Sequence, residues 1–158
     1  MGTGDRNCTA LEIPSKNLLL NGKIKKGPNP KAMTKPTLLA AEPQLFVADI
    51  ATSCEFYTTK LGFRVAFTYG EPPFYAQVTR DAAKLNLRQL DESPFRLELR
   101  GDLLSASIPM EDAQPLFLEF QAAGVAFHQP LKTEPWGAQT FVVADPDGNL
   151  ILFAGQAQ

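Results

Sequence analysis

The stretch from Glu134 to Phe153, EPWGAQTFVVADPDGNLILF, carries the strongest fold signal in this chain. Two apolar runs, Gln139–Ala144 and Asn149–Ala154, are separated by the tetrapeptide Asp-Pro-Asp-Gly. Proline fixes φ and glycine permits a positive φ, so this tetrapeptide is a strong signal for a tight turn. The stretch is therefore predicted to form a loop, a strand, a tight turn and a final strand.

A helix and two further strands precede this hairpin. Glu111 or Asp112 can cap a helix whose apolar residues fall at helical spacing, and Gly124 ends it. Pro115 falls in the first turn of that helix, where no backbone donor is missed. The apolar stripe of this helix is Ala113, Leu116, Phe120 and Ala123. The two further strands lie near Ser105–Ile108 and Val125–Leu131.

The same order of elements occurs earlier in the chain. Asp49 can cap a helix that ends at Gly62, and Arg80-Asp81 supplies a turn signal between two later strands. The helix stripe is Ile50, Cys54, Tyr57 and Leu61, and the strands lie near Leu45–Val47, Phe63–Tyr69, Phe74–Thr79 and Lys84–Leu90. The sequence thus predicts an α+β fold of two tandem βαβββ modules, at about 43–90 and 104–154. Between them, Phe95–Arg100 alternates apolar and charged residues, as an edge strand or an extended connector does.

Charge and composition separate the first 38 residues from the rest. Residues 1–38 hold seven Lys/Arg and two acidic residues, whereas the remaining 120 hold 8 basic and 15 acidic ones. All aromatic residues lie beyond residue 45. We therefore expect a basic, flexible N-terminal extension (1–38) before a single domain (39–158). An arm that crosses to a partner subunit is the alternative.

Composition also narrows the class of function. An acidic domain disfavours nucleic acid and anionic membranes, and no apolar run approaches the roughly 20 residues of a membrane span. With only Cys8 and Cys54, a disulfide framework is not expected, and a reducing cytoplasm fits. The expected location is the cytoplasm.

Several motifs resemble one known superfamily. The stretch DIATSCEFYTTKLGF (49–63) lies in the first copy, and PWG…DPDGN (135–149) lies in the second copy. Together they resemble the glyoxalase, bleomycin-resistance and extradiol-dioxygenase proteins, also called the vicinal oxygen chelate superfamily. The resemblance implies an open, curved sheet in each module, a cleft enclosed by two modules, and a homodimer.

The resemblance also identifies four positions that hold a metal in the superfamily's metal-dependent enzymes. In this sequence they are Glu42, Asn86, Ser105 and Leu152. Only Glu42 is a good ligand, and zinc, nickel or iron sites need three or more His, Cys or carboxylate groups. No metal and no other cofactor are therefore expected. His128, the only histidine, and Cys54, on an apolar helix face, are not expected to be catalytic.

The strand pattern predicts a binding surface instead. Alternation places one set of side chains on an open face and the other beneath the helices. The open-face set is Glu42, Gln44, Phe46, Asn86, Arg88, Ser105, Ser107, Leu150 and Leu152. Resemblance to the metal-free bleomycin-resistance proteins implies aromatic contacts to planar rings by Phe67, Phe74 and Trp136, with Tyr69 and Tyr75 as neighbours. Arg88 would repel a cationic ligand unless it pairs with Glu42 or another carboxylate.

Two functions from different classes follow from the resemblance. The first is a metal-independent protein that sequesters a toxic compound, of the bleomycin type or with other planar rings, in a cleft at a dimer interface. The alternative is a glyoxalase-like lyase or another metal-dependent enzyme of the superfamily. The expected ligand-binding residues are Phe46, Phe67, Tyr69, Phe74, Tyr75, Asn86, Arg88, Ser105, Trp136 and Leu152.

Overall fold

A computed structural model of the chain describes residues 38–90 and 103–156. Except for Leu38, the predicted N-terminal extension lies outside these residues. The predicted strand or connector at Phe95–Arg100 also lies outside them. Both helices in the described ranges are ten residues long, and neither is long and apolar enough to cross a membrane.

The first module has the predicted order of strand, helix and three strands. Asp49 is the N-cap of its helix, and its side chain accepts a hydrogen bond from the backbone N–H of Thr52 at 2.7 Å. This bond satisfies one of the amide donors that a helix start leaves unpaired. The elements are β1 (Gln44–Val47), α1 (Ile50–Thr59), β2 (Arg64–Gly70), β3 (Pro73–Arg80) and β4 (Ala83–Gln89).

The second module repeats this order. Of the two predicted caps, Asp112 is the one used, since its side chain accepts from the N–H of Gln114 at 2.9 Å. The elements are β5 (Leu104–Met110), α2 (Ala113–Ala122), β6 (Phe127–Thr133), β7 (Gln139–Ala144) and β8 (Leu150–Gly155). The prediction of two tandem βαβββ modules is confirmed.

Each module forms one mixed four-stranded sheet, with strand orders β1-β4-β3-β2 and β5-β8-β7-β6. The first strand of each module pairs in parallel with the last, and the other neighbours are antiparallel. β6 begins two residues later than predicted. Val125 still belongs to the helix end, because its N–H donates to the carbonyl of Phe120 at 3.0 Å, just after Gly124 at φ +68°.

The core lies between the sheets and the helices, as the alternation predicts. Leu45, Val47, Leu85, Leu87, Ile151 and Phe153 are all buried. In the second module, Phe141 stacks on Phe153 with ring centroids 5.0 Å apart, and Phe120 meets both rings edge-on. With this face of each sheet committed to the core, the opposite face is left for binding.

Each module contacts the turn of the other. The β7–β8 turn reaches α1, where Asp145 Oδ2 accepts from the Tyr57 hydroxyl at 3.0 Å and Asp147 Oδ1 accepts from the N–H of Ala48 at 2.9 Å. In the reverse direction, Arg80 at the β3–β4 turn reaches α2, where its guanidinium donates two bonds to Glu119 at 2.8 and 2.9 Å. These contacts fix the two modules of the domain to each other.

The Arg80–Glu119 pair leads to a pH prediction. The hydrogen bond from Arg80 lowers the pKa of Glu119 below its usual 4.5. A lowered pKa in the folded state stabilises the protein above the ordinary glutamate pKa, and this contribution is lost as the pH falls through the lowered value. The Glu119 side chain is 51% exposed, so solvent screening keeps the effect small.

We therefore expect Glu119→Gln to lower the free energy of unfolding at pH 7 by about 0.5–1 kcal/mol. The difference from the unmodified protein should shrink to near zero in strongly acidic buffer. Urea unfolding of both proteins across pH 3–7 measures this. A difference that does not change with pH would contradict the assignment.

Candidate functional site

The open face of the first module carries a group of exposed aromatic side chains. Phe67 on β2 stacks against Tyr75 on β3, with ring centroids 6.1 Å apart and an angle of 24° between the planes. Tyr69 meets Phe74 edge-on at 5.6 Å. Phe67, Tyr69 and Phe74 are 47%, 66% and 42% exposed. Three of these four rings on adjacent strands are therefore exposed to solvent, and Tyr75 is half-buried.

A bend in the β2–β3 hairpin brings Phe74 into this group. The pairing is irregular between Tyr69 and Gly70, so that Gly70 pairs with Pro73 while Tyr69 pairs with Tyr75. Gly70 has φ +104°, and a Cβ built there would lie 2.5 Å from the ring of Phe74. A glycine at this position lets the Phe74 ring lie against the backbone. We call Phe67, Tyr69, Phe74 and Tyr75 the aromatic face.

A polar network lies beside the aromatic face. The ammonium of Lys84 is 3.1 Å from a Glu42 carboxylate oxygen, and the Gln77 amide donates to Glu42 at 2.9 Å and to the Asn86 side-chain oxygen at 3.0 Å. The hydrogen bond from Lys84 is the main cause of the lowered pKa of Glu42. Glu42 is thus held ionised and already has a cationic partner.

Arg88 on β4 lies beside the aromatic face. Its guanidinium carbon lies 5.9 Å from the centroid of the Phe74 ring, a cation–π arrangement. On β4, Arg88 is paired with Phe46 of β1 and Tyr75 of β3. The partner that the sequence suggested for it, Glu42, is bound to Lys84 instead.

The open face of the second module is a different surface. It contains a cavity of about 440 Å³ with Trp136 at its edge, 68% exposed. Its floor is mainly apolar. The lining residues are Leu104, His128, Gln129, Pro130, Glu134, Trp136, Thr140, Val142, Leu150 and Leu152. We call this the second-module cavity.

Polar groups at the mouth of the second-module cavity are held in place. Glu134 accepts from the Thr140 hydroxyl at 2.7 Å and lies 3.2 Å from the ammonium of Lys132. The bond from Thr140 is the main cause of the lowered pKa of Glu134. Gln129 reaches the same hydroxyl at 3.4 Å. An apolar pocket with a few fixed polar groups is typical of small-molecule sites.

The four positions of the superfamily's metal site do not provide a metal-binding donor set here. Asn86 and Gln77 are hydrogen-bonded to each other, and Leu152 has no donor atom. Ser105 offers only a hydroxyl beside an irregularity in the β5–β8 pairing, and the residue paired with Leu152 is Ser107. Within residues 38–90 and 103–156, no three His, Cys, Asp or Glu side chains lie close enough to hold a metal ion. The side chains present therefore do not fit the metal.

The structure divides the predicted site residues into two groups. Phe67, Tyr69, Phe74, Tyr75 and Arg88 contact one another on the first module, with Asn86 in the adjoining network. Trp136 and Leu152 line the second-module cavity, whose lining residues all come from the second module. The half-buried Phe46 lies on β1, where its carbonyl accepts from the Asn149 amide at 2.9 Å.

Some site residues did not emerge from the sequence. Gln77 is two residues after Tyr75 on β3, and Lys84 is two residues before Asn86 on β4. Residues two apart on a strand share a face, so the same period-2 pattern could have found both. Gln129 and Pro130 on β6 carry no comparable signal, because that strand pairs irregularly with β7. Their place in the second-module cavity depends on tertiary structure.

The comparisons with known proteins agree with the fold. The model of the Glyoxalase/Bleomycin resistance protein/Dioxygenase superfamily matches residues 39–153. Among curated proteins, none matches this chain.

Solved structures with the same fold include several proteins of this superfamily. One is the bleomycin-binding protein from bleomycin-producing Streptomyces verticillus, complexed with copper(II)-bleomycin. It is 24% identical with a TM-score of 0.62, over 77% of this chain and 99% of that one. A bleomycin resistance determinant encoded on the transposon Tn5 is 17% identical with a TM-score of 0.64, over 77% and 100%. A superfamily protein from Alicyclobacillus acidocaldarius is 22% identical with a TM-score of 0.64, over 75% and 91%. At these identities the likeness establishes the fold alone.

Proposed function

The chain belongs to the Glyoxalase/Bleomycin resistance protein/Dioxygenase superfamily, and within it we propose a metal-independent protein that sequesters a toxic small molecule. The ligand is a compound with planar rings, of the bleomycin type or another planar-ring antibiotic. Binding occurs in a cleft between two copies of the chain. The protein holds its ligand rather than converting it.

The observation that carries this proposal is the aromatic face. Its four rings include three that are more than 40% exposed, an unusual use of large apolar side chains on a sheet that already has a full core on its other side. Offset and edge-on contacts between aromatic rings are favourable, and a planar ligand can extend them. Exposed apolar groups of this kind mark binding sites.

Pairing of two copies would complete the cleft. The aromatic face lies on the first module and the second-module cavity on the other, so a dimer can place one opposite the other. A ligand would then be covered on both sides, as small-molecule sites usually require. The edge strands β2 and β6 also have one unpaired side within their own sheets, and a partner could cover it.

The lyase alternative has less support. Glu42, its best candidate for a metal ligand, is engaged by Lys84 and Gln77. The neighbouring positions offer an amide, a hydroxyl and an alkyl group, which are poor ligands for zinc or nickel. We therefore rank binding above turnover.

Trp136 provides a direct test of the proposal. It is the only tryptophan and is 68% exposed beside the second-module cavity, so a ring stacked against it should quench or shift its fluorescence. We expect bleomycin, with or without copper, or a planar quinone such as mitomycin C to change this signal at micromolar concentration. A ligand at 100 times its dissociation constant should also stabilise the protein by roughly 2.7 kcal/mol.

The Trp136→Phe variant is the matched control. It removes the fluorescence signal but keeps an aromatic ring, so thermal stabilisation by the same compound should persist. If every compound leaves both the fluorescence and the melting temperature of the unmodified protein unchanged, the proposed function is wrong.

A further inference from the structure

We infer that the ligand of this site is a planar anion whose negative group is bound by Arg88. This inference rests on the proposed function and narrows it from planar compounds in general to one charge class. It is carried by how the charges on the open face of the first module are paired.

Two cationic side chains, Lys84 and Arg88, flank this part of the face, and they differ in their partners. Lys84 is neutralised by Glu42, with 3.1 Å between nitrogen and oxygen. Among residues 38–90 and 103–156, no carboxylate lies within ion-pair distance of Arg88. Glu42, the carboxylate that the strand pattern places nearest to Arg88, is therefore already paired with Lys84. Beside the aromatic face, Arg88 therefore keeps a positive charge that no carboxylate of these residues neutralises.

Phe74 fixes where that charge can act. The ring lies 5.9 Å from the guanidinium carbon and covers one side of the guanidinium. A guanidinium donates hydrogen bonds from its edge, in a planar fork that matches a carboxylate or sulfonate. Arg88 is exposed, so these donors are accessible beside the exposed rings. A flat anion can therefore lie on the aromatic face with its acidic group against Arg88.

The second module lacks an equivalent cation. The two sheets pair in the same way, and Asn86 and Leu152 occupy corresponding positions on the last strands, β4 and β8. By this correspondence, the residue two positions beyond Leu152, equivalent to Arg88, is Ala154. The two cleft faces thus differ. One has rings and a cation. The other has an apolar floor with amide and hydroxyl groups and the Glu134 carboxylate, which Lys132 already pairs at 3.2 Å. Arg88 is therefore the residue that selects the ligand by its charge.

This arrangement disfavours a cationic ligand. A positive ring system stacked on the aromatic face would approach the Arg88 guanidinium, which no carboxylate of residues 38–90 and 103–156 pairs, and like charges repel at close range. The anionic members of the planar-ring class are therefore better matched to the site than a cationic glycopeptide is.

Three probes of one shape separate charge from stacking. They are 2-naphthoate, 2-naphthamide and 2-naphthamidine, which carry negative, zero and positive charge on the same ring system. Dissociation constants are obtained from the amide chemical shifts of Phe67 and Tyr75 in NMR titrations of the full chain. We expect the order naphthoate tightest, naphthamide intermediate and naphthamidine weakest.

Variants of Arg88 test whether its charge causes this order of probe affinities. Arg88→Gln should weaken naphthoate binding by about tenfold, since it removes a charge-assisted hydrogen bond, and should change naphthamide binding less than about twofold. Arg88→Lys should restore part of the preference. The control Lys60→Gln removes the same charge as Arg88→Gln, but at the C-cap of α1, where Lys60 donates to the Ala123 carbonyl. It should leave the order of the three probes unchanged.

The outcomes separate this inference from the proposed function. If the three probes bind equally, if naphthamidine binds tightest, or if Arg88→Gln keeps the order, the inference is wrong while sequestration stands. If no probe binds but an antibiotic does, the inference also fails alone. If neither probes nor antibiotics bind, both fail.

Discussion

Replacing Asp145 with alanine is expected to lower the free energy of unfolding by about 3 kcal/mol, by leaving several buried donors without their acceptor. Asp145 is 5% exposed and accepts from the Tyr57 hydroxyl at 3.0 Å and from the Asn149 side-chain amide at 2.7 Å. It also accepts from the backbone N–H groups of Asp147 at 3.0 Å and Asn149 at 2.7 Å. One carboxylate thus organises the β7–β8 turn and joins it to α1.

The charge of this carboxylate explains why all these donors are needed. Burial raises the pKa of Asp145, whereas the bonds from Asn149 and Tyr57 lower it. The donors therefore offset the cost of burying an ionised group. Alanine removes the carboxylate but leaves Tyr57, which is fully buried, with an unsatisfied hydroxyl.

Two further variants control this experiment. Tyr57→Phe removes one of the hydrogen bonds between the modules, the one to Asp145, and should cost about 1 kcal/mol. Glu55→Ala changes an exposed carboxylate on α1 and should stay within about 0.5 kcal/mol. Chemical denaturation of the three variants gives these values. An Asp145→Ala loss as small as that of Glu55→Ala would show that the Asp145 carboxylate does not stabilise the fold through these bonds.

Removing two rings from the aromatic face is expected to weaken binding of a planar ligand by about a hundredfold. Phe67 and Phe74 belong to the two ring contacts of this face, and stacking of one ring contributes on the order of 1–1.5 kcal/mol beyond its buried area. The ligand for this test is the tightest-binding compound of the Trp136 titration. Its affinity should fall about a hundredfold for the double variant Phe67→Ala/Phe74→Ala and about tenfold for each single variant.

Folding should survive these changes, because both rings are more than 40% exposed and lie outside the buried core. Leu118→Ala is the matched control, since Leu118 is 51% exposed on α2 and lies off the open face. It should leave binding unchanged. An affinity loss for the double variant no larger than that of the Leu118 control would place the ligand elsewhere.

Much of the fold could be predicted because its signals are local. Asp49 and Asp112 cap their helices, Gly62 and Gly124 adopt φ of +66° and +68°, and the DPDGN turn lies between two apolar strands. Each of these features depends on a few neighbouring residues. The boundary of β6 was two residues early, because Val125 completes the end of α2 before the strand begins.

The candidate site could be predicted only in part. Strand alternation placed Asn86 and Arg88 on the open face without tertiary information. It could not indicate which cation Glu42 pairs with, because Lys84 and Arg88 share that face of β4 and the choice depends on side-chain reach. Alternation also could not foresee the irregular pairing beside Ser105, which depends on how β5 meets β8.

Equilibrium dialysis tests the central claim, sequestration without metal and without turnover, most directly. Chelator-treated protein carrying less than about 0.1 metal ion per chain is dialysed separately against bleomycin, mitomycin C and 2-naphthoate, and the retained compound is analysed by mass spectrometry. We expect at least one compound to be retained stoichiometrically and recovered chemically unchanged. Retention of none of the three, retention only after a metal is added to the protein, or recovery of an altered product would contradict metal-independent sequestration.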